Sequence, residues 1–239
     1  MSDDFTLLWP GGPLFREAAH FRLSTDSVLL ADFIRPDSAR RGIDLGCGSG
    51  ILSLLLLART EKLEMTGLEL LPDAAALANE NFAQNAFSPR AQAICGDLRR
   101  CRELFPAGAF DLAAANPPYY PVAAGAHSPE PERAAARSEL MCTLEDLCSA
   151  AAWLVRSGGS FSLVYKPERL SELLCCLSAH DLEPKRLRLV CDRAESAPSL
   201  VLVESRRGGR PGLRIEPGLI LHGTDGAPSA EQRRIYHRD

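Results

Sequence analysis

The sequence has no apolar run long enough to cross a bilayer. The stretch Ile51–Ala58 falls far short of the ~20 residues that a membrane helix needs. The opening MSDDFTLLWPGG lacks the basic start and apolar core of a secretory signal, so no signal peptide is expected. The eight cysteines (Cys47, Cys95, Cys101, Cys142, Cys148, Cys175, Cys176 and Cys191) form no CxxC pair, and no histidine cluster accompanies them. No metal site is therefore expected, and the thiols are read as reduced, in a cytoplasmic protein without a membrane partner. A positive charge excess is also missing: the net charge is −4. A polyanion would need a local basic surface. Arg206, Arg207, Arg210, Arg214, Arg233, Arg234 and Arg238 are the candidates; a solvated charged surface explains them equally well. No internal repeat is found.

What is there suits a globular chain. Apolar residues make up 46% and charged residues 24% of 239, enough for one medium α/β domain with a sizeable core. From about residue 41, strand-like and helix-like stretches alternate. Arg41–Leu45, Leu63–Leu70, Arg90–Cys95, Phe110–Ala115 and Ser160–Tyr165 read as strands. Ile51–Arg59, Pro72–Asn85, Ser138–Arg156 and Glu168–Ala179 read as helices, the third ended by Gly158-Gly159. Pro184–Cys191 and Ser199–Glu204 alternate as an antiparallel hairpin. The pattern predicts a doubly wound, mostly parallel seven-stranded sheet with an antiparallel C-terminal hairpin. Residues 1–40 read as a lead-in, with a small hairpin in Leu14–Leu23 and a helix over Asp26–Ile34 capped by Thr25 or Ser24. Residues 41–239 form the main domain, with a basic C-terminal strand region. Val122–Arg137 reads as a loop.

Asp44-Leu45-Gly46-Cys47-Gly48-Ser49-Gly50 follows the first main strand and opens a helix. Such a loop lines the ligand crevice of an open α/β sheet. The spacing is GxGxG, with Ile51 in the last glycine slot of a GxGxxG dinucleotide fingerprint. Asp44 would repel a pyrophosphate but suits a ligand with an ammonium group. Here the loop resembles that of class I methyltransferases, which implies S-adenosylmethionine. Glu69, ending the second strand, suits the ribose hydroxyls. Asp97, after the third, suits an adenine amino group.

Asn116-Pro117-Pro118-Tyr119-Tyr120 directly follows a buried strand. Its prolines remove two backbone donors and stiffen an array of carbonyl acceptors. An Asn oxygen and a proline carbonyl can accept both hydrogens of one NH₂ group. A planar amine is a poor nucleophile because its lone pair is delocalised. Two acceptors favour the charged, pyramidal nitrogen that forms as it attacks. Tyr119 can stack on a base drawn out of its helix or loop.

With these motifs, the lead-in FRLSTDSVLL (Phe21–Leu30), Ala136-Arg137-Ser138-Glu139 and ESRRGGRPG (Glu204–Gly212), the chain resembles the tRNA1(Val) (adenine-37-N6)-methyltransferases over about residues 14–239. The resemblance implies N6-methylation of a tRNA adenine with S-adenosylmethionine as donor. It assigns Asn116, Pro117, Pro118 and Tyr119 to catalysis. To the cofactor it assigns Thr25, Asp26, Asp44, Gly46, Cys47, Gly48, Gly50, Glu69, Leu70, Asp97, Leu98 and Asn116. To the nucleic acid it assigns Tyr119, Tyr120, Arg137, Arg206 and Arg207. Other readings share the core motifs: a glutamine N5-methyltransferase of release factors, which usually carries a longer N-terminal domain, and an rRNA guanine-N2 methyltransferase. A DNA adenine enzyme would normally need a further recognition domain. A reading of a different class is a cofactor-binding RNA scaffold without turnover, though such a protein has no chemical reason to keep NPPY intact.

Overall fold

The computed structural model describes residues 5–17, 24–117 and 142–237. A small hairpin, β1 (Thr6–Leu7) and β2 (Leu14–Phe15), precedes helix α1 (Thr25–Phe33). The main sheet holds β3 (Arg41–Leu45), β4 (Glu64–Glu69), β5 (Ala91–Cys95), β6 (Phe110–Ala115), β7 (Val155–Tyr165), β8 (Leu182–Cys191) and β9 (Pro198–Arg207). Helices α2 (Ile51–Arg59), α3 (Pro72–Gln84), α4 (Cys101–Leu104), α5 (Leu144–Leu154) and α6 (Leu170–Ala179) connect these strands. Two dipeptide strands, β10 (Arg214–Ile215) and β11 (Leu219–Ile220), and helix α7 (Ala230–Ile235) follow.

The long strands lie in the order β5-β4-β3-β6-β7-β9-β8. The first five are parallel; β9 runs antiparallel between β7 and β8. The chain winds from β3 outward to β5, then returns to β6 and winds the other way. The strand order therefore reverses between β3 and β6, and a crevice opens at their carboxyl ends. Helices α1, α2 and α3 touch one another in series, as do α4, α5 and α6. Burial follows from this layering. In α2 every residue from Ile51 to Leu57 is buried, so the apolar run seen in the sequence is a central core helix. Ala113, Ala114 and Ala115 of β6 are each at most 1% exposed, as a strand covered on both faces requires.

Four expectations change. The lead-in hairpin pairs Thr6–Leu7 with Leu14–Phe15 rather than closing within 14–23, where residues 18–23 lie outside the described set. Thr143 caps α5 through a capping box with Asp146, so the described helix starts at Leu144 rather than 138. The helix ends at Leu154, and β7 runs through Gly158-Gly159. There Gly158 takes φ +72° and the pairing with β6 slips between Phe110 and Leu112, so the glycines mark an irregular strand rather than a helix stop. Finally, β10 and β11 add parallel edges to β8, making the sheet nine-stranded. Two-residue strands are too short to show alternation.

Candidate active site

The glycine loop and Asn116 meet at the reversal point. Gly46, Gly48 and Gly50 all have positive φ (+72°, +54° and +80°), where a side chain is strained. The Gly46 and Cys47 amides donate to the Leu68 carbonyl of the neighbouring strand, at 2.8 and 3.4 Å. A Cβ on Gly50 would come within 2.8 Å of Phe82, whereas one on Gly46 would meet nothing within 4 Å. The loop is thus packed from behind and open in front, a cradle of bare main chain.

Two carboxylates support it. Glu69 is 8% exposed; its oxygens accept from Gly48 N and Leu71 N, each at 2.9 Å. Leu70 next to it and Leu98 beyond β5 are half-buried. Asp44 lies beneath the loop at 1% exposure and accepts from Ser53 Oγ at 3.0 Å. Burial pushes its pKa up to about 7 against the pull of the Ser53 hydrogen bonds, and the Glu69 charge adds to the rise. Asp44 therefore stands behind the crevice wall, not on it. Asp97 caps the turn Leu98–Arg100 and accepts from the Arg99 amide at 2.9 Å. The Arg99 guanidinium grips both carboxylate oxygens and holds the Asp97 carboxyl below the usual range.

Asn116 ends β6. Its Nδ2 donates to Ser24 Oγ at 3.1 Å and to Ser27 Oγ at 2.9 Å. Ser24 caps α1, accepting from the Ser27 amide, so the first turn of α1 with Thr25 and Asp26 is docked against the end of β6. Ser24 and Ser27 are contacts that sequence reading missed. They lie 92 and 89 residues away in the chain, and only their place in the lead-in hinted at them. Asn81 was also missed. Wholly buried, it donates to the carbonyls of Ser49 in the glycine loop (3.0 Å) and Arg16 in the lead-in (3.2 Å).

Pro117 is described and half-buried; Pro118, Tyr119, Tyr120 and Arg137 lie outside the described residues. Arg206 and Arg207 are not brought to the site. Antiparallel β9 carries them to the opposite end of the sheet, where Arg206 faces Ser160 in register. There they donate to the Gly158 and Val155 carbonyls, at 3.0 and 3.3 Å. Leu163, by contrast, faces Ala115, the residue before Asn116. From the level of Ser160 to that of Asn116 is about 13 Å along the strands. Strand direction, invisible in a list of arginines, decides this.

Residues 19–173 match the family model of the methyltransferase small domain. A tRNA1(Val) (adenine(37)-N6)-methyltransferase of Porphyromonas gingivalis is 30% identical, covering 90% of this chain and 86% of that protein. One from Tolumonas auensis is 31% identical, covering 88% and 86%. Among solved structures, a predicted O-methyltransferase from Agrobacterium tumefaciens superposes with a TM-score of 0.73 at 24% identity, covering 90% of this chain and 96% of that one. The sheet order, with the glycine loop and Asn116 facing each other across the reversal, defines a class I methyltransferase. The chain belongs to the tRNA1(Val) (adenine(37)-N6)-methyltransferase family.

Proposed function

We propose that the protein transfers a methyl group from S-adenosylmethionine to the N6 amino group of an adenine in tRNA, in the cytoplasm. The observation that carries this is Asn116, held by two serines at the strand end facing the glycine loop. The open space before Gly46 and the strand-end acid Glu69 fit a nucleoside cofactor. When bound, S-adenosylmethionine supplies an electrophilic methyl on a sulfonium. Gly46, Cys47, Gly48 and Gly50 present main chain to it, while Thr25 and Asp26 stand at its amino-acid end. Glu69 takes the ribose hydroxyls beside Leu70. Asp97 takes the adenine amino group beside Leu98, once Arg99 yields part of that carboxylate. Asp44 acts on the ammonium as a charge under the loop, where low polarity lengthens its reach.

Asn116 does the chemistry of activation. Ser24 and Ser27 accept from its Nδ2 and so turn Oδ1 toward the incoming amine. With the Pro117 carbonyl, Oδ1 accepts the hydrogens of the target NH₂ as the nitrogen becomes cationic. The product ammonium is strongly acidic and loses its proton to water. No helix among the described residues is long and apolar enough to cross a membrane.

Mass spectrometry of tRNA nucleosides tests the reading. Cells lacking the gene should lose N6-methyladenine from a valine tRNA, and the wild-type gene should restore it while Asn116→Ala does not. Unchanged tRNA, with methyl transfer instead to a release-factor glutamine or an rRNA guanine, would replace the substrate and keep the site. Tight cofactor binding with no transfer to any of them would leave a scaffold.

A further inference from the structure

On the outer layer of the fold, helices α5 and α6 pack side by side. Their contact gathers side chains that neither the cofactor nor the amine uses. From the first turn of α5 comes Glu145, on the face turned to α6. From the end of α6 come Cys176 and His180, four apart and on one face. The two faces meet. Cys176 Sγ lies 3.4 Å from Glu145 Oε2, and His180 Nε2 lies 2.7 Å from Glu145 Oε1. The ligating atoms of Glu145, Cys176 and His180 all fall within 4.8 Å of one another. The Cys148 thiol, wholly buried, lies outside this cluster.

We propose that Glu145, Cys176 and His180 bind a zinc ion that staples α5 to α6, with water in the fourth position of a tetrahedral site. Bond lengths of 2.0–2.3 Å to zinc place neighbouring ligand atoms about 3.3–3.8 Å apart. The Glu145–Cys176 separation already matches, and the Glu145–His180 pair must open by several tenths of an ångström. Glu145 can give that movement, since its side chain is 71% exposed. One sulfur, one imidazole nitrogen and one carboxylate oxygen suit borderline-soft zinc. Magnesium or calcium would require six or more oxygens. Facing ligands from neighbouring helices are how helical layers build metal centres. The sequence hides such a site because Glu145 stands 31 residues before the CxxxH pair, and no CxxC marks it. Zinc here would take no part in methyl transfer. It would fix α5, whose first turn flanks the Leu98–Arg100 turn after Asp97.

The full chain, stripped with a chelator, reloaded with zinc and passed through gel filtration, should retain one zinc per molecule. Cobalt in its place should give the thiolate charge-transfer band and the d–d spectrum of a tetrahedral site. His180→Ala and Cys176→Ser should each weaken zinc by at least about a hundredfold, with far-UV circular dichroism unchanged. Cys175→Ser, at the exposed neighbouring position, should retain the ion. Zinc should also raise the melting temperature of the wild type but not of His180→Ala. A wild type that retains no stoichiometric zinc, or a His180→Ala protein that retains as much, overturns the proposal. These readouts do not depend on methylation, so a wrong RNA substrate leaves them standing.

Discussion

Single residues at the crevice carry opposite burdens. In the proposed mechanism Asn116 meets the substrate amine and stabilises charge that exists only in the transition state. Asn116→Ala should leave the cofactor dissociation constant unchanged and lower kcat by about 100-fold or more. Ser24→Ala with Ser27→Ala removes the acceptors on Nδ2 without touching the reacting atoms. The amide then loses its fixed orientation, and kcat should fall about tenfold with KM little changed; an unaltered kcat would remove the serines from the mechanism. Asp44 bears a cost. Its folded-state pKa of about 7 lies above the ordinary aspartate value of 3.8. Below the unfolded value both states hold the proton and Asp44 has no effect. As pH rises toward 7 only the unfolded chain releases it, so folding is penalised by on the order of 4 kcal/mol once both have ionised. Asp44→Asn should therefore raise the melting temperature at pH 8 and leave it nearly unchanged at pH 4. The same substitution should weaken the cofactor. In the wild type, affinity should drop as pH falls from 7 to 5.5, where Asp44 takes up its proton; in Asp44→Asn that slope should vanish, which calorimetry can read.

Among the elements, those with a strong local signal were legible. Leu45–Gly46 ends a strand and Ile51 starts a helix, because apolar pattern and glycine chemistry agree there. Pro72 at the first turn fixed the start of α3. The misread elements are those where long-range pairing overrides local pattern: β7 continues through Gly158-Gly159 because β6 and β9 flank it. The site was legible in the same uneven way. The glycine loop, Glu69 and Asn116 stood out in residue type and spacing, and the fold brings them to one end of the sheet, whereas Asn81 reads in sequence as one polar position of an Ala-rich helix. In the fold it ties three elements together. Asn81 accepts from Arg16 N at 2.9 Å and donates to Ser49 O, joining lead-in, α3 and glycine loop. Asn81→Ala would leave buried partners unsatisfied, each costing about 1–3 kcal/mol. It should lower stability by that order and loosen the loop, raising the cofactor dissociation constant. Melting with and without cofactor checks both. Thr143→Ala, losing only the α5 capping box, should cost about 1 kcal/mol and leave cofactor affinity as it was.

For the molecule as a whole, the question is which surface meets the tRNA. A net charge of −4 supplies no general attraction, so any phosphate contacts must be local. The expectation had pointed to Arg206 and Arg207, but β9 carries them to the end of the sheet remote from Asn116. Arg234 is also engaged, paired with Asp32 at 2.9 and 3.1 Å. The carboxyl end of the sheet, where the amine must arrive, has its own cations. Lys166 directly follows β7, and exposed Arg193 follows β8, which runs parallel to β7 across the intervening β9. If the substrate seats over Asn116 as proposed, these two are the candidates to meet its phosphates, Arg193 in exchange for its 3.9 Å pairing with Asp192. Lys166→Ala and Arg193→Ala should each weaken tRNA binding and flatten the slope of log affinity against log salt by about one. Replacing Arg206 and Arg207 together should leave that slope unchanged. Filter binding across a salt series separates the two outcomes. A slope that responds to Arg206 and Arg207 and ignores Lys166 and Arg193 would mean that the RNA wraps the far end of the sheet, with only the target nucleotide reaching the crevice.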